Sequence, residues 1–557
     1  MMIFIVSVLL ITSLSNKILL SQSIPRQPVR LYKIDDWISF KNCNYPTSLD
    51  KGLEYIYFGT SGGVVPYHYY GRYWENPYTV SDGMAGDFVT AVLYDKTTNY
   101  LWAAHEKGIS YLEPAADSWK NISCLDLHLP ENNPVDRLGT DGNSIWVQAA
   151  GGFLFSINKI LGFYQSSAPE IGEDIIWSPN SFDPLPELFD YIMNSDYTFM
   201  RSGYIMDREF REFPLSIFFI DQNMDIYSGA WGLGLIQGDE NVHRLNVSSL
   251  GPIQNHINAL ELSDYTIWMG GNFQSANPAF NRSGISVYYP DDESWNYYES
   301  QFYHELFSDN IEDIKYDDNH LWIGTDEGLT ILNTKNNRWK RISDTKGLRD
   351  DLITSIAIED SIAWIGTMLG LNAISIPDFQ VFVIPLTKKD ILLRIYKVEV
   401  GETRIWILSD NGIYAIERST RNIEHYGIYG GKARLDDPVA GSYSCITAKD
   451  SLVIFGRSQN LLKFNNLDET WTILNNIGYL TEVYVYDMAI DNDYLWLGTS
   501  GGAVLTRLRD FYTEVYTTSD GLAGNNVYRV KIDGDWVWFG TDRGLTKYQW
   551  RQYASKD

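Results

Sequence analysis

The 557 residues carry 44 Lys and Arg against 71 Asp and Glu, a formal net charge of −27, with 44% hydrophobic residues, 14% aromatic residues and three cysteines. A negative charge of that size, spread along the chain, excludes a phosphate-backbone partner such as nucleic acid. The length exceeds what one hydrophobic core serves, and Cys43, Cys124 and Cys445 lie far apart without metal-ligand spacing, so they read as isolated packed residues.

The chain opens with MMIFIVSVLLITSLSNKILLSQS, residues 1–23, which hold no acid and one base, Lys17, and run apolar from Ile3 to Ile11. That run is too short to span a bilayer and predicts an export signal peptide, with an uncleaved N-terminal anchor as the alternative. No later stretch reaches about 18 uninterrupted apolar residues, so no membrane span is expected after it. The expected location is secreted or periplasmic.

DDWISF, at 35–40, follows as an aromatic strand that arrives before the first full unit. From there one phrase recurs. It is clearest as LWIGTDEGLTIL (321–332), AWIGTMLGLNAI (363–374), LWLGTSGGAVLT (495–506) and VWFGTDRGLTKY (537–548); Trp322 and Trp364 stand 42 residues apart, as do Trp496 and Trp538. Worn copies lie at 55–65, 101–112, 145–155, 197–206, 225–236, 267–271, 405–416 and 452–464, which makes about twelve units. Self-similarity at this period means a repeat architecture.

Each unit predicts four short strands: an apolar alternation such as ITSIAIED (353–360), the Trp phrase, a stretch such as GLTIL (328–332), and an aromatic stretch such as NRWKRIS (337–343). The T-x-x-G between the second and third is a tight turn whose Gly supplies a positive φ. A sheet with apolar side chains on both faces must be covered by copies of itself, and radial stacking does this while leaving only short edges. The expected fold is therefore all-β: two β-propellers of four-stranded blades. Six plus six is the simplest partition, with propellers at 24–305 and 306–557, and seven plus five is the alternative. If the strand at 35–40 completes the blade built from the C-terminal units, one propeller holds both chain ends and the other is inserted in it.

Three strings carry a family resemblance: TVSDGMAGDFVTAVLYD with LWAAHEKGISYLEP (79–114), DTKGLRDDLITSIAIEDSIAWIGTMLGLNAIS (344–375) and TTSDGLAGNNVYRVKIDGDWVWFGTDRGLTKY (517–548). They resemble the two-component regulator propeller repeat, and SGAWGLGL (228–235) is similar to that family's Trp-bearing hairpin. The resemblance implies the paired periplasmic propellers of hybrid two-component sensors, and with them extracytoplasmic ligand or protein binding. No kinase or DNA-binding module is recognisable, so no signalling output is expected from these residues. The resemblance does not reach the insert at 167–185, and 270–290 departs toward a phrase of other bacterial propellers.

The link from one unit to the next has its own pattern, G-[LM]-x-x-[DN]-x-[VI], seen at Gly83, Asp87 and Val89, at Gly347, Asp351 and Ile353, and at Gly521, Asn525 and Val527. The Asp/Asn slot recurs without the full pattern at Asn255, Asp309 and Asp390. Placed just before the inner strand, these side chains are expected around a channel mouth, where they suit a cation, an amine or sugar hydroxyls. The competing reading has them hydrogen-bond nearby backbone N–H groups and fix the turn. Trp231, in a turn, is the stacking candidate for a sugar or peptide, whereas the repeated tryptophans are packing residues. His105 and His256 stand singly, and no metal site, cofactor or catalytic residue is predicted.

The function expected is a non-catalytic sensor or scaffold that binds a carbohydrate or peptide ligand, or an envelope protein. The alternative is a twin-propeller glycoside hydrolase or lyase. Glycoside hydrolysis needs two carboxylates facing each other across a cleft, and the box S-x-D-x-G-x-x-W carried by such propeller glycosidases does not occur in the sequence.

Overall fold

The computed structural model describes residues 32, 35–116, 118–130, 135–166, 174–179, 191–193, 197–200, 203–208, 210–263, 265–272, 282–389, 392–427, 439–457, 460–475 and 477–554. The expected signal peptide at 1–23 and the candidate Asp390 lie outside the described residues. Contacts divide the chain into two compact units, Met1–Lys33 and Ile34–Asp557. The second holds eleven antiparallel sheets among its described residues, nine of them four-stranded.

One sheet shows why the phrase folds this way. It runs Ile311–Tyr316, His320–Thr325, Gly328–Asn333, Arg338–Ile342, and every residue of its second strand after His320 is buried. A strand covered on both faces needs a neighbour on each side. Trp322, Leu329 and Ile331 pack on Ile353, Ile356 and Ile365 of the following sheet. Gly324 permits that approach, because a Cβ there would stand 2.5 Å from the Ile353 side chain. The turn closes on itself: Thr325 Oγ1 donates to the Gly328 carbonyl at 2.8 Å, and Gly328 sits at φ 137°.

Repetition of this contact sets the inner strands side by side in the order Ala259–Ser263, Ile311–Tyr316, Ile353–Glu359, Ile395–Val400, Cys445–Lys449, Val485–Asp491 and Val527–Asp533, and the last lies against the first. Closure is visible in the packing of Phe40, Trp538 and Leu545 on Leu260, Ile267 and Tyr288. Residue 305, where an even partition divides the chain, falls between two sheets that share a core through Ile285, Leu306 and Ile311.

The outer strand of the seventh sheet comes from the other end of the described chain. Trp37–Phe40 pairs with Gly544–Gln549, Trp37 opposite Tyr548 and Phe40 opposite Leu545. The backbone then crosses, through 41–45, to a further set of sheets whose inner strands Pro46–Lys51, Val89–Asp95 and Val135–Thr140 are successive neighbours, while Glu212–Ile220 flanks Pro46–Lys51 from the other side. Part of the 167–185 insert reaches this set: Trp177 lies opposite Gly139, and the Ser178 N–H donates to the Leu138 carbonyl at 3.0 Å. The architecture is thus all-β, built of antiparallel sheets that are mostly four-stranded, as propeller blades are. The chain returns through 250–258, and the two crossings are laced together by Cys43 N–H to Leu250 O at 3.1 Å and Asn42 Nδ2 to Ile253 O at 2.7 Å.

Candidate functional site: a cavity beside the two crossings

The crossings bring two copies of the linker motif to one place. Lys41, 4% exposed at its side chain, ion-pairs with Asp87 of the 79–89 link and donates to the Ala523 carbonyl of the 517–527 link at 3.1 Å. Ser39 bridges the same two segments, donating its N–H to Ser81 Oγ at 3.2 Å and its hydroxyl to Gly521 O at 3.0 Å, with its Oγ also 3.1 Å from the Thr546 hydroxyl opposite it.

The Asp/Asn slots have a shared local task. Asp87, Asp351 and Asn525 each accept, through Oδ1, the N–H of the residue seven places upstream: Val80 at 2.7 Å, Asp344 at 2.6 Å and Thr518 at 2.9 Å. Asp309 accepts from the Ser300 N–H at 2.6 Å and from its hydroxyl at 3.0 Å. Only an amide or carboxylate oxygen is used, which is why Asp and Asn alternate in the motif. Asn255 differs, since its Oδ1 accepts the Asn42 N–H at 2.8 Å and so ties one crossing to the other. Trp231 meets the edge of Tyr45, ring centroids 5.2 Å apart, with its turn held by Gly232 N–H to Asn44 O at 2.9 Å.

Against these crossings lies a cavity of about 600 Å³ lined by Asn42, Tyr45, Ser61, Phe88, Ile253, Gln254, Asn255, His256, Asn272 and Asp542. Of the candidates read from the sequence, Asn255 lines it directly; Trp231 touches its wall through Tyr45, and Asp87 anchors the lysine next to Asn42. Asp309, Asp351 and Asn525 are not among its lining residues.

Several lining residues carry buried polar atoms without a partner among the described residues. Gln254 donates through Nε2 to Gly271 O at 3.0 Å and Gly284 O at 3.3 Å, and its Oε1 is one of these. Asn272 donates through Nδ2 to Glu312 at 2.8 Å, and its Oδ1 is another. His256 Nδ1 is a third, and its ring lies 4.6 Å from the Tyr528 ring. Burial lowers the imidazole below the usual histidine range, with the Asp542 carboxylate opposing the shift; the ring is neutral at pH 7. Burial pushes the Tyr45 phenol up to about 12. Unpaired buried acceptors are costly, and these atoms are closed off from the open volume rather than presented to it.

Asp542 is the carboxylate among the described lining residues. The inner strands of the closed circuit line a second cavity of about 230 Å³ with charges of both signs, including Asp313, Lys315, Lys397, Glu399, Asp487, Arg529 and Lys531. Burial raises Glu399 and lowers Lys397, the response of charged groups withdrawn from water.

No family model matches this sequence, and none of the curated proteins matches it significantly. Among solved structures the chain is similar to the extracellular domain of BT4673 from B. thetaiotaomicron, at 14% identity, over 94% of this chain and 71% of that one, with a TM-score of 0.44. It is likewise similar to the extracellular domain of the hybrid two component system BT3049 from the same organism, at 14% identity over 94% and 77% with a TM-score of 0.44. PorZ, a surface component of the type-IX secretion system of Porphyromonas gingivalis, aligns at 16% identity over 90% of this chain and 74% of its own, with a TM-score of 0.47. Function is argued from the site.

Gln254, His256, Asn272, Asp542, Tyr45 and Phe88 were not legible as site residues in the sequence. They come from five separate stretches that the crossings bring together. The signal on offer was QNHIN at 254–258, a run of polar residues where the repeated phrase lapses.

Proposed function

We propose that this protein is an extracytoplasmic, non-catalytic binding module, a sensor or scaffold, whose ligand enters the cavity beside the crossings. We also propose a seven-bladed propeller that contains both chain ends and an inserted five-bladed one, so that the cavity lies where the two meet. The observation that carries the reading is an open volume near 600 Å³ lined by the polar side chains of Asn42, Gln254, Asn255, His256, Asn272 and Asp542. Concave volumes of this size with a few convergent polar groups are the usual form of a ligand site. Export is supported by the N-terminal residues 1–23 and by the resemblance of the repeats to periplasmic sensor propellers.

The test is a thermal-shift screen of the full chain against neutral glycans, peptides and amines, in parallel with Asn272→Trp, which fills the cavity. A ligand at a hundredfold excess over its Kd adds about 2.7 kcal/mol of stability. The expected result is a compound that raises the melting temperature of the native chain and not of the variant. Ligands that stabilise both equally would place the site elsewhere.

A further inference from the structure

We propose that the outer edge of the sheet at 353–384 is a docking strand for a second protein, one that presents an extended acidic segment; this surface is separate from the cavity and does not rest on it. The strand Val381–Ile384 ends its sheet, pairing inward with Gly370–Ser375 and outward with no strand among the described residues. An edge of that kind offers a row of backbone N–H and C=O groups to a chain lying alongside. Other outer strands are guarded: Ser118–Ser123, Ser294–Tyr298, Arg338–Ile342, Thr470–Leu474 and Thr513–Tyr516 each carry hydroxyl, amide or charged side chains. Val381–Ile384 carries none, and its central residues, Phe382 and Val383, are both 46% exposed.

The two faces of this strand differ. Val381 packs with Ile331 and Ile374 on the side of the preceding sheet, whereas Ile384 packs with Trp364 and Leu393 toward the following one. Side chains alternate along a strand, so Val383 shares the first face and Phe382 the second. Positive charge borders the first face. Residues 335–346 hold five bases, Lys335, Arg338, Lys340, Arg341 and Lys346, against the single acid Asp344. None of the five is ion-paired among the described residues. Lys340 lies over the Phe379 ring, 4.3 Å from its centroid, and a Cβ on Gly347, next to Lys346, would stand 3.6 Å from the Val381 side chain. Burial first, and then the Lys346 charge, lowers the Lys340 ammonium against the opposing field of Asp378.

That charge decides the occupant. Two copies of this chain meeting edge to edge would each bring the same basic border to the pairing, and like charges facing each other across strands are destabilising. In a chain of net charge −27 the border runs against the trend, so an acidic strand is attracted here and repelled by most of the remaining surface. The expected segment alternates, with Asp or Glu on the side of Lys340 and apolar residues on the side of Phe382. Strand addition draws affinity from main-chain hydrogen bonds and specificity from alternate side chains.

Selection of a random dodecapeptide display library on the full chain tests this, followed by fluorescence anisotropy with the enriched peptides made synthetically. The expected peptides alternate Asp or Glu with Val, Ile, Leu or Phe. Their affinity should fall roughly tenfold when alternate amides are N-methylated, which removes the N–H groups that a strand donates, and by a similar factor in the Phe382→Ser/Val383→Ser and Lys340→Glu/Lys346→Glu chains. All four side chains are exposed, so the variants keep their cores, which thermal melting followed by circular dichroism verifies. Asn272→Trp, in the cavity, should leave the affinity unchanged. Peptides without an acidic excess, binding that survives N-methylation, undiminished binding in Phe382→Ser/Val383→Ser, or a library that yields no binder overturns the proposal. A dimer in sedimentation that Phe382→Ser/Val383→Ser disperses would assign the edge to a second copy, and binding to phosphatidylglycerol vesicles in place of peptides would assign it to a lipid surface; either result also overturns it.

Discussion

At the scale of single residues, the linker motif works through one oxygen. Asp351 needs only to accept the Asp344 N–H at 2.6 Å, so Asp351→Asn should be near neutral while Asp351→Ala costs about 1 kcal/mol, the value of a side-chain cap. Urea denaturation of the pair checks this, and equal losses in both variants would show that charge, rather than the acceptor, matters. Asp50 makes the complementary case. Burial pushes its carboxyl from 3.8 up to about 6, although the Tyr94 N–H at 2.7 Å and the Lys51 N–H at 2.8 Å both donate to it. The folded chain therefore holds this proton more tightly than the unfolded chain. Its stabilising contribution is complete below about pH 4, is lost as pH rises to about 6, and stays flat above that. Denaturation midpoints measured across this window should fall with pH in the native chain, and Asp50→Asn should remove that part of the slope.

At the scale of elements, the strand Trp37–Phe40 bears the closure of the seven-sheet circuit. Trp37 is 4% exposed and stacks on Tyr548, centroids 3.9 Å apart and planes 12° apart. Trp37→Ala should cost about 3–5 kcal/mol and lower the hydrogen-exchange protection of Gly544–Gln549 before that of the sheet at 353–384. Uniform loss of protection would mean that the strand supports the whole unit rather than its own edge. The all-β propeller fold was legible because each element repeats its reasons: Trp322, Trp364, Trp496 and Trp538 are all at most 3% exposed, and Gly328, Gly370, Gly502 and Gly544 all take the positive φ that the T-x-x-G turn requires. The cavity was not legible because its lining does not recur as a set: Asp542 lies in one repeated T-x-x-G turn, but the residues it meets come from elsewhere in the chain. Asn42 meets Ile253 and Asn255 across more than 200 residues of chain, and a contact of that span leaves no local period to read. The Asp/Asn slots were visible for the same reason that they are mostly turn-fixing: recurrence marks the scaffold, whereas Asn255, whose link departs from the full motif, sits at the crossing.

At the scale of the whole molecule, the two sets of sheets are coupled by more than the crossings. Glu299, at the end of a sheet in the closed circuit, accepts from Arg282 at 2.7 Å and from Arg211 at 2.8 Å; Arg211 belongs to the other set, and Arg282 donates back across to the Gly232 carbonyl at 3.1 Å. Burial would raise this carboxyl, but Arg282 and Arg211 hold it below its usual range. A depressed acid stabilises above its unfolded pKa of 4.5, and that contribution is lost as pH falls through the lower folded value. Glu299→Gln leaves the buried Arg282 guanidinium without its counter-charge and Arg211 with Asp207 alone, and loss of one partner of a buried pair typically costs about 3–5 kcal/mol. Because the lost contacts join two halves that each have a core, the cost should fall on their coupling. Calorimetry at pH 7 should show one transition in the native chain and two in the variant, and the difference between the two proteins should shrink as pH falls below 4.5. A single transition displaced uniformly at every pH would instead mean that Glu299 stabilises only its own sheet, and that the crossings alone hold the cavity's walls together.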